Sequence, residues 1–183
     1  MVRINVAQLL KSPIGTVRGY NVSDTVDIGG SGCLVEGEVT LMRTNRSVLV
    51  EGELYTEVDL SCSRCLSLFS CPLAINIEEE YFPTTDILTG SILPLPGEPG
   101  SFTIDEFNIL DLSEAIRQYA LLTIPMKPLC RQDCAGLCPA CGSNLNHTSC
   151  NCPSESIDPR WAELNKLVYS NNQPLGNEEK GTQ

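Results

Sequence analysis

Apolar and polar residues alternate with a period of two over a long central stretch of the chain. In "CLVEGEVTLMR", Val35, Val39 and Leu41 share one face, opposite Glu36, Glu38 and Thr40. After the turn-like Thr44-Asn45-Arg46, "SVLVEGELYTEVDLSC" sets Val48, Val50, Leu54, Val58 and Leu60 on one side. Leu49, Glu51, Glu53, Tyr55, Glu57 and Asp59 take the other. Successive side chains of a strand point to opposite faces, so this pattern predicts antiparallel strands with one buried side. "CPLAINIEEEYF" predicts a third strand, with Pro72 near its start, where a missing N–H is tolerated. Together these make a meander whose outer face is acidic.

The flanks are less regular. "INVAQLL" fits a short helix or a short strand, and Pro13, Gly15, Gly29 and Gly30 punctuate the residues after it. Residues 83–108 are rich in Pro, Gly and Thr and predict a long loop or linker. "DLSEAIRQYALL" predicts a helix with Asp111 as N-cap and Glu114 three residues on, a capping-box-like pair. Leu112, Ala115, Ile116, Tyr119 and Leu122 form its apolar stripe, and Pro125 and Pro128 end it. "DPRWAELNKLVYS" predicts a terminal helix, with Asp158 as N-cap and Pro159 in its first turn. Trp161, Leu164, Leu167 and Val168 would line one side of it. No internal repeat is evident. The expected fold class is α+β: an antiparallel meander or barrel-like sheet with a few helices and a C-terminal cysteine-rich module. The expected divisions are a sheet-plus-helix core over 1–125, a cysteine-rich module with the terminal helix packed on that core over 126–170, and a flexible tail over 171–183.

Charge narrows the classes of partner. Twelve Lys and Arg stand against 23 Asp and Glu, a formal net charge of −11. Phosphate backbones repel such a chain, which disfavours unaided nonspecific nucleic-acid binding and suits a basic protein partner. No run of eighteen apolar residues is present, and "MVRINVAQLLKSPIG" lacks the apolar region of a signal peptide, so a cytoplasmic location is expected.

The candidate chemistry lies in ten cysteines. A reducing compartment keeps disulfides rare, so clustered thiols there point to metal or redox chemistry. The spacings are Cys62-x2-Cys65, Cys130-x3-Cys134, Cys138-x2-Cys141 and Cys150-x-Cys152. Two cysteines separated by two residues can turn both sulfurs toward one ion, and Gly142 after Cys141 lets the chain fold back. Eight thiols fit two closed four-thiolate zinc sites: Cys138, Cys141, Cys150 and Cys152 locally, and Cys62, Cys65, Cys130 and Cys134 across a long loop. Two Zn2+ ions are therefore expected. An iron–sulfur cluster uses the same ligands, and Cys62 with Cys65 also fits a thiol redox pair, although that pair joins two strand-like runs and not a strand to a helix. Cys33 and Cys71 read as small buried apolar residues. His147 is the single histidine and lies within the last cysteine loop, as an alternative ligand or a loop residue. One histidine, carboxylates at strand-face spacing and no phosphate-binding Gly-rich loop together argue against an enzyme.

"LSCSRCLSLFSCPLAINIEEEYFP" resembles the C-x-R-C-L segment of the YceD family, the large ribosomal RNA subunit accumulation proteins. "CRQDCAGLCPACGSNLNHTSCNC" followed by "IDPRWAEL" resembles the C-terminal signature of its cysteine-rich members. The resemblance runs from about Gly32 to Leu167 and includes Cys62, Arg64, Cys65 and Leu66, the six later cysteines, and Asp158, Pro159 and Arg160. It implies a bacterial or plastid-type protein needed for accumulation of 23S rRNA and for large-subunit biogenesis. It implies no catalytic mechanism.

Two surfaces are candidates for that role. The acidic strand face (Glu36, Glu38, Glu51, Glu53, Glu57 and Asp59) suits a basic large-subunit ribosomal protein or assembly factor. Alternatively, a local basic group near the cysteines (Arg64, Lys127, Arg131 and Arg160) contacts 23S rRNA directly. No membrane or small-molecule substrate is expected.

Overall fold

The computed structural model describes residues 1–94 and 100–153. The terminal helix expected around Trp161 and the tail lie outside the described residues. The chain divides into two compact units, Met1–Ala135 and a second beginning at Gly136.

In the first unit the elements are β1 (Arg3–Asn5), α1 (Ala7–Lys11), β2 (Val17–Ile28), β3 (Ser31–Arg43), β4 (Val48–Ser61), β5 (Leu68–Pro83), β6 (Phe102–Ile104), β7 (Ile109–Asp111) and α2 (Ser113–Thr123). They build one sheet in the order β1-β7-β6-β5-β4-β3-β2. β2 to β5 form the expected antiparallel meander. The alternation sets its faces: Val35, Val39, Leu41, Val48, Val50, Leu54 and Ile75 are all fully buried, and the carboxylates between them are exposed. Thr56 takes an inward place and satisfies its hydroxyl by donating to the Leu34 carbonyl at 2.8 Å. Gly29 and Gly30, both at positive φ, make the two-residue β2–β3 turn, whose handedness matches the twist of the strands.

The sheet is mixed, not wholly antiparallel, because β6 runs parallel to β5. A parallel pair needs a crossover of about a dozen residues or more, and the stretch read as a linker provides it. Part of that stretch is ordered by Asp86, whose Oδ1 accepts from the Leu88 and Thr89 amides and the Thr89 hydroxyl. Tyr81 on β5 and its partner Phe102 on β6 stack with centroids 5.2 Å apart, and the Tyr81 hydroxyl donates to the Asp111 carbonyl.

The sheet curls around α2, which packs on both β5 and β2. Its two edges meet where the Met1 amino group donates to Asp24 at 3.0 Å and to the Thr25 carbonyl. Helix α2 buries Ala115, Ile116 and Ala120, with Leu112 just before it. Two details differ from the sequence reading. Asp111 does accept the Ser113 amide at 2.9 Å, but Glu114 does not reach back to complete a capping box; it binds Arg117 and Gln118. Leu122 is 82% exposed, one turn too far along to reach the sheet.

Candidate metal centre

Strand β4 ends at Ser61 and β5 begins at Leu68, so Cys62 and Cys65 sit in the hairpin connection. The chain reverses there by a tight turn: Cys62 N–H donates to the Ser67 carbonyl and Leu66 N–H to the Cys62 carbonyl. Leu66 adopts φ +58° to allow it. After α2, the segment carrying Cys130 and Cys134 is laid against this turn. Ser63 N–H donates to the Pro128 carbonyl at 2.8 Å, and Arg64 Nη1 to the Cys134 carbonyl at 2.9 Å. The four sulfurs of Cys62, Cys65, Cys130 and Cys134 lie within 4.8 Å of one another. Cys62 is 3.8 Å from Cys134 and Cys65 is 3.7 Å from Cys130, sulfur to sulfur. These are far longer than a disulfide of about 2.05 Å. They match the edge of a tetrahedron with metal–sulfur bonds of about 2.3 Å, which is about 3.8 Å.

The second unit holds the other group: Cys138, Cys141, Cys150 and Cys152, again within 4.8 Å. Its turn copies the first. Cys138 N–H donates to the Ser143 carbonyl, Gly142 N–H donates to the Cys138 carbonyl, and Gly142 has φ +73°. "CSRCLS" and "CPACGS" are therefore two copies of one knuckle, a six-residue repeat too short and too divergent in its middle to register as a repeat in the sequence. His147 is not among the residues whose ligand atoms converge.

The thiols of each group titrate far apart. In the first, backbone N–H groups, that of Cys130 foremost, lower Cys62 to about 6, while burial and the neighbouring thiols push Cys130 up to about 12. In the second, Ser143 lowers Cys141 to about 6, and the hydrogen bond that Cys152 donates to Cys141, with burial, pushes Cys152 up to about 12. Four thiolates at such spacing repel one another unless a cation sits between them. Each group can therefore hold a metal ion.

Cys33 is buried in the sheet core and Cys71 is half-buried against it. Glu36, Glu38, Glu51, Glu53, Glu57 and Asp59 are all exposed on the outer face. The register puts Glu38 opposite Glu53 and Glu51 opposite Glu78. None of these carboxylates forms an ion pair among the described residues. Of the basic candidates, Arg64 is occupied in part by the Cys134 carbonyl, Arg131 pairs with Asp133 at 3.5 Å, and Arg160 lies outside the described residues. Sequence reasoning missed the bracing role of Arg64, which nothing in its spacing signals.

A curled sheet protein with a four-cysteine group in each of its two units is the class that the fold and site define. The family model described as large ribosomal RNA subunit accumulation protein YceD matches residues 50–168, and the chain belongs to that family. A protein of Mycobacterium tuberculosis, named only as uncharacterized, is 32% identical over 137 residues, covering 75% of this chain and 63% of that protein. The chloroplastic large ribosomal RNA subunit accumulation protein YCED homolog 1 of Arabidopsis thaliana is 26% identical over 171 residues, covering 81% and 53%. Its Zea mays counterpart is 41% identical over 49 residues, 26% of this chain and 17% of that protein. The chain thus spans less than two thirds of the length of these relatives. No solved structure matches it. Among the described residues, no helix is long and apolar enough to cross a membrane.

Proposed function

We propose that this protein is a non-catalytic ribosome-biogenesis factor that supports 23S rRNA accumulation and large-subunit assembly by binding a basic ribosomal or assembly-factor protein. Family membership supports the setting. The observation that carries the mode of action is the acidic face. Like charges directly opposite across strands are destabilising, yet Glu38 faces Glu53 and Glu51 faces Glu78 with no ion pair to a cation among the described residues. A basic partner neutralises that face, speeds its own association, and dissociates more readily as salt rises.

Zn2+ is the ion we assign to both four-cysteine groups. Four thiolates suit its softness, the sulfur spacing suits its bond length, and a closed site keeps no position open for substrate. Its role is structural: the first group joins the β4–β5 hairpin to the segment after α2, and the second organises the turn around Cys138. Burial of Cys62 and Cys65 supports ligands over an exchanging redox pair.

The test is replacement of the protein in cells by a Glu51→Lys, Glu53→Lys variant. We expect 23S rRNA to fall to the level of cells lacking the protein, and the purified variant to lose binding to a large-subunit protein fraction. Normal 23S rRNA in cells carrying the folded variant would overturn the reading.

A further inference from the structure

We propose that the open end of the sheet carries a binding site for one nucleotide of a single-stranded RNA, resting on the reading that the protein serves rRNA. A cavity of about 590 Å3 lies between the β3–β4 turn and the chain leaving β5. Arg43, Asn45 and Arg46 line one side, and Phe82, Ile87 and Leu93 the other. That size falls within the range of small-ligand sites.

Its charge runs against that of the molecule. Arg46 is exposed, and its side chain forms no hydrogen bond or ion pair among the described residues, so no carboxylate there neutralises its guanidinium. Arg43 donates one nitrogen to the Ser12 carbonyl at 2.8 Å, which anchors the side chain and leaves its other donors open to a ligand among the described residues. Asp86 also lines the cavity as a carboxylate, held ionised by three hydrogen bonds from its own turn and by the nearby Arg43 charge. Glu80 is turned to the Ser47 hydroxyl, which also meets the Thr44 hydroxyl. Arg43 and Arg46 thus outnumber Asp86, the one carboxylate among the lining residues, a balance of charge that favours an anion. The turn that presents Asn45 and Arg46 is held firmly by these bonds and by Ser47 N–H donating to Thr44 Oγ1.

The opposite wall says what kind of anion. Phe82 is half-buried and has no aromatic partner among the described residues, in contrast to Tyr81 beside it. A bare phosphate has no use for an aromatic ring flanked by Ile87 and Leu93. A nucleotide does: the base stacks on the ring, the phosphate meets Arg43 and Arg46, and the Asn45 amide reads a base edge. Such a site is distinct from the acidic strand face and compatible with simultaneous occupation of both.

The experiment is fluorescence anisotropy of a short labelled single-stranded RNA of mixed sequence with the full-length, metal-loaded protein across a salt series. Arg46→Glu is expected to weaken binding by about tenfold or more, and to flatten the log–log salt dependence by about 0.7 for each phosphate no longer neutralised. Phe82→Leu is expected to weaken binding by about fivefold or more with little change in that slope. Glu53→Lys should not weaken it. No binding by the unaltered protein, or equal binding by Arg46→Glu, overturns the inference; the latter variant is at an exposed turn, and circular dichroism verifies its fold. An acidic aromatic peptide that binds more tightly than the RNA overturns it too. If RNA binding is absent while 23S rRNA in cells still depends on the protein, the site falls and the proposed function stands.

Discussion

Leu66 occupies in one knuckle the place that Gly142 occupies in the other, at φ +58° and +73°. A left-handed conformation costs a residue with a Cβ about 1–2 kcal/mol and costs glycine little. Gly142→Leu should therefore destabilise the second unit by about 1–2 kcal/mol and hasten loss of its metal to a chelator, whereas Leu66→Gly should leave the first group's metal retention intact. Chelator-release kinetics check both. The serine after each of these residues acts on a thiol. Ser67 lowers Cys65 and Ser143 lowers Cys141, because hydrogen bonding favours the charged form. In metal-free protein, Ser143→Ala should raise the pH midpoint for alkylation of Cys141 from about 6 toward that of an ordinary thiol. An unmoved midpoint would mean that the hydroxyl does not hold the thiolate. The convergence of eight cysteines in two groups was legible from spacing; the serines were not, since a hydroxyl two residues past a cysteine has no meaning until the turn is known.

At the scale of elements, β3 and β4 approach closely because two glycines face the partner strand. A Cβ at Gly52 would lie 2.6 Å from Val39 Cγ1 and 2.7 Å from the Glu38 carbonyl, and one at Gly37 would clash with the Glu53 carbonyl. Gly52→Ala should cost about 1–3 kcal/mol in thermal unfolding, since a packed backbone must move to admit the methyl. β3, β4 and β5 were readable because strict alternation over many residues has one interpretation. β2 was not: Asn21, Ser23 and Asp24 interrupt the apolar run, and Asp24 finds its partner in the Met1 amino group, far away in sequence. β1, β6 and β7 span three residues each and exist through pairing of distant segments, such as Arg3 with Asp111. "INVAQLL" was ambiguous between strand and helix because it contains parts of both, β1 up to Asn5 and α1 from Ala7.

At the scale of the molecule, stability and the proposed partner binding pull the acidic face in opposite directions. Glu53→Lys places a cation opposite Glu38 and should raise stability by about 0.2–1 kcal/mol while it weakens partner binding. A variant that lost both would point to a structural role for the carboxylates. The four-cysteine groups act over a longer reach. The first closes a chain segment from Cys62 to Cys134 and ties the sheet to the segment after α2, so its loss should loosen the first unit as a whole. The most direct test is elemental analysis of the purified protein beside Cys62→Ser and Cys138→Ser. Two zinc ions per chain, falling to one in each variant, is the expected result. No zinc, or two ions retained in either variant, would contradict the account.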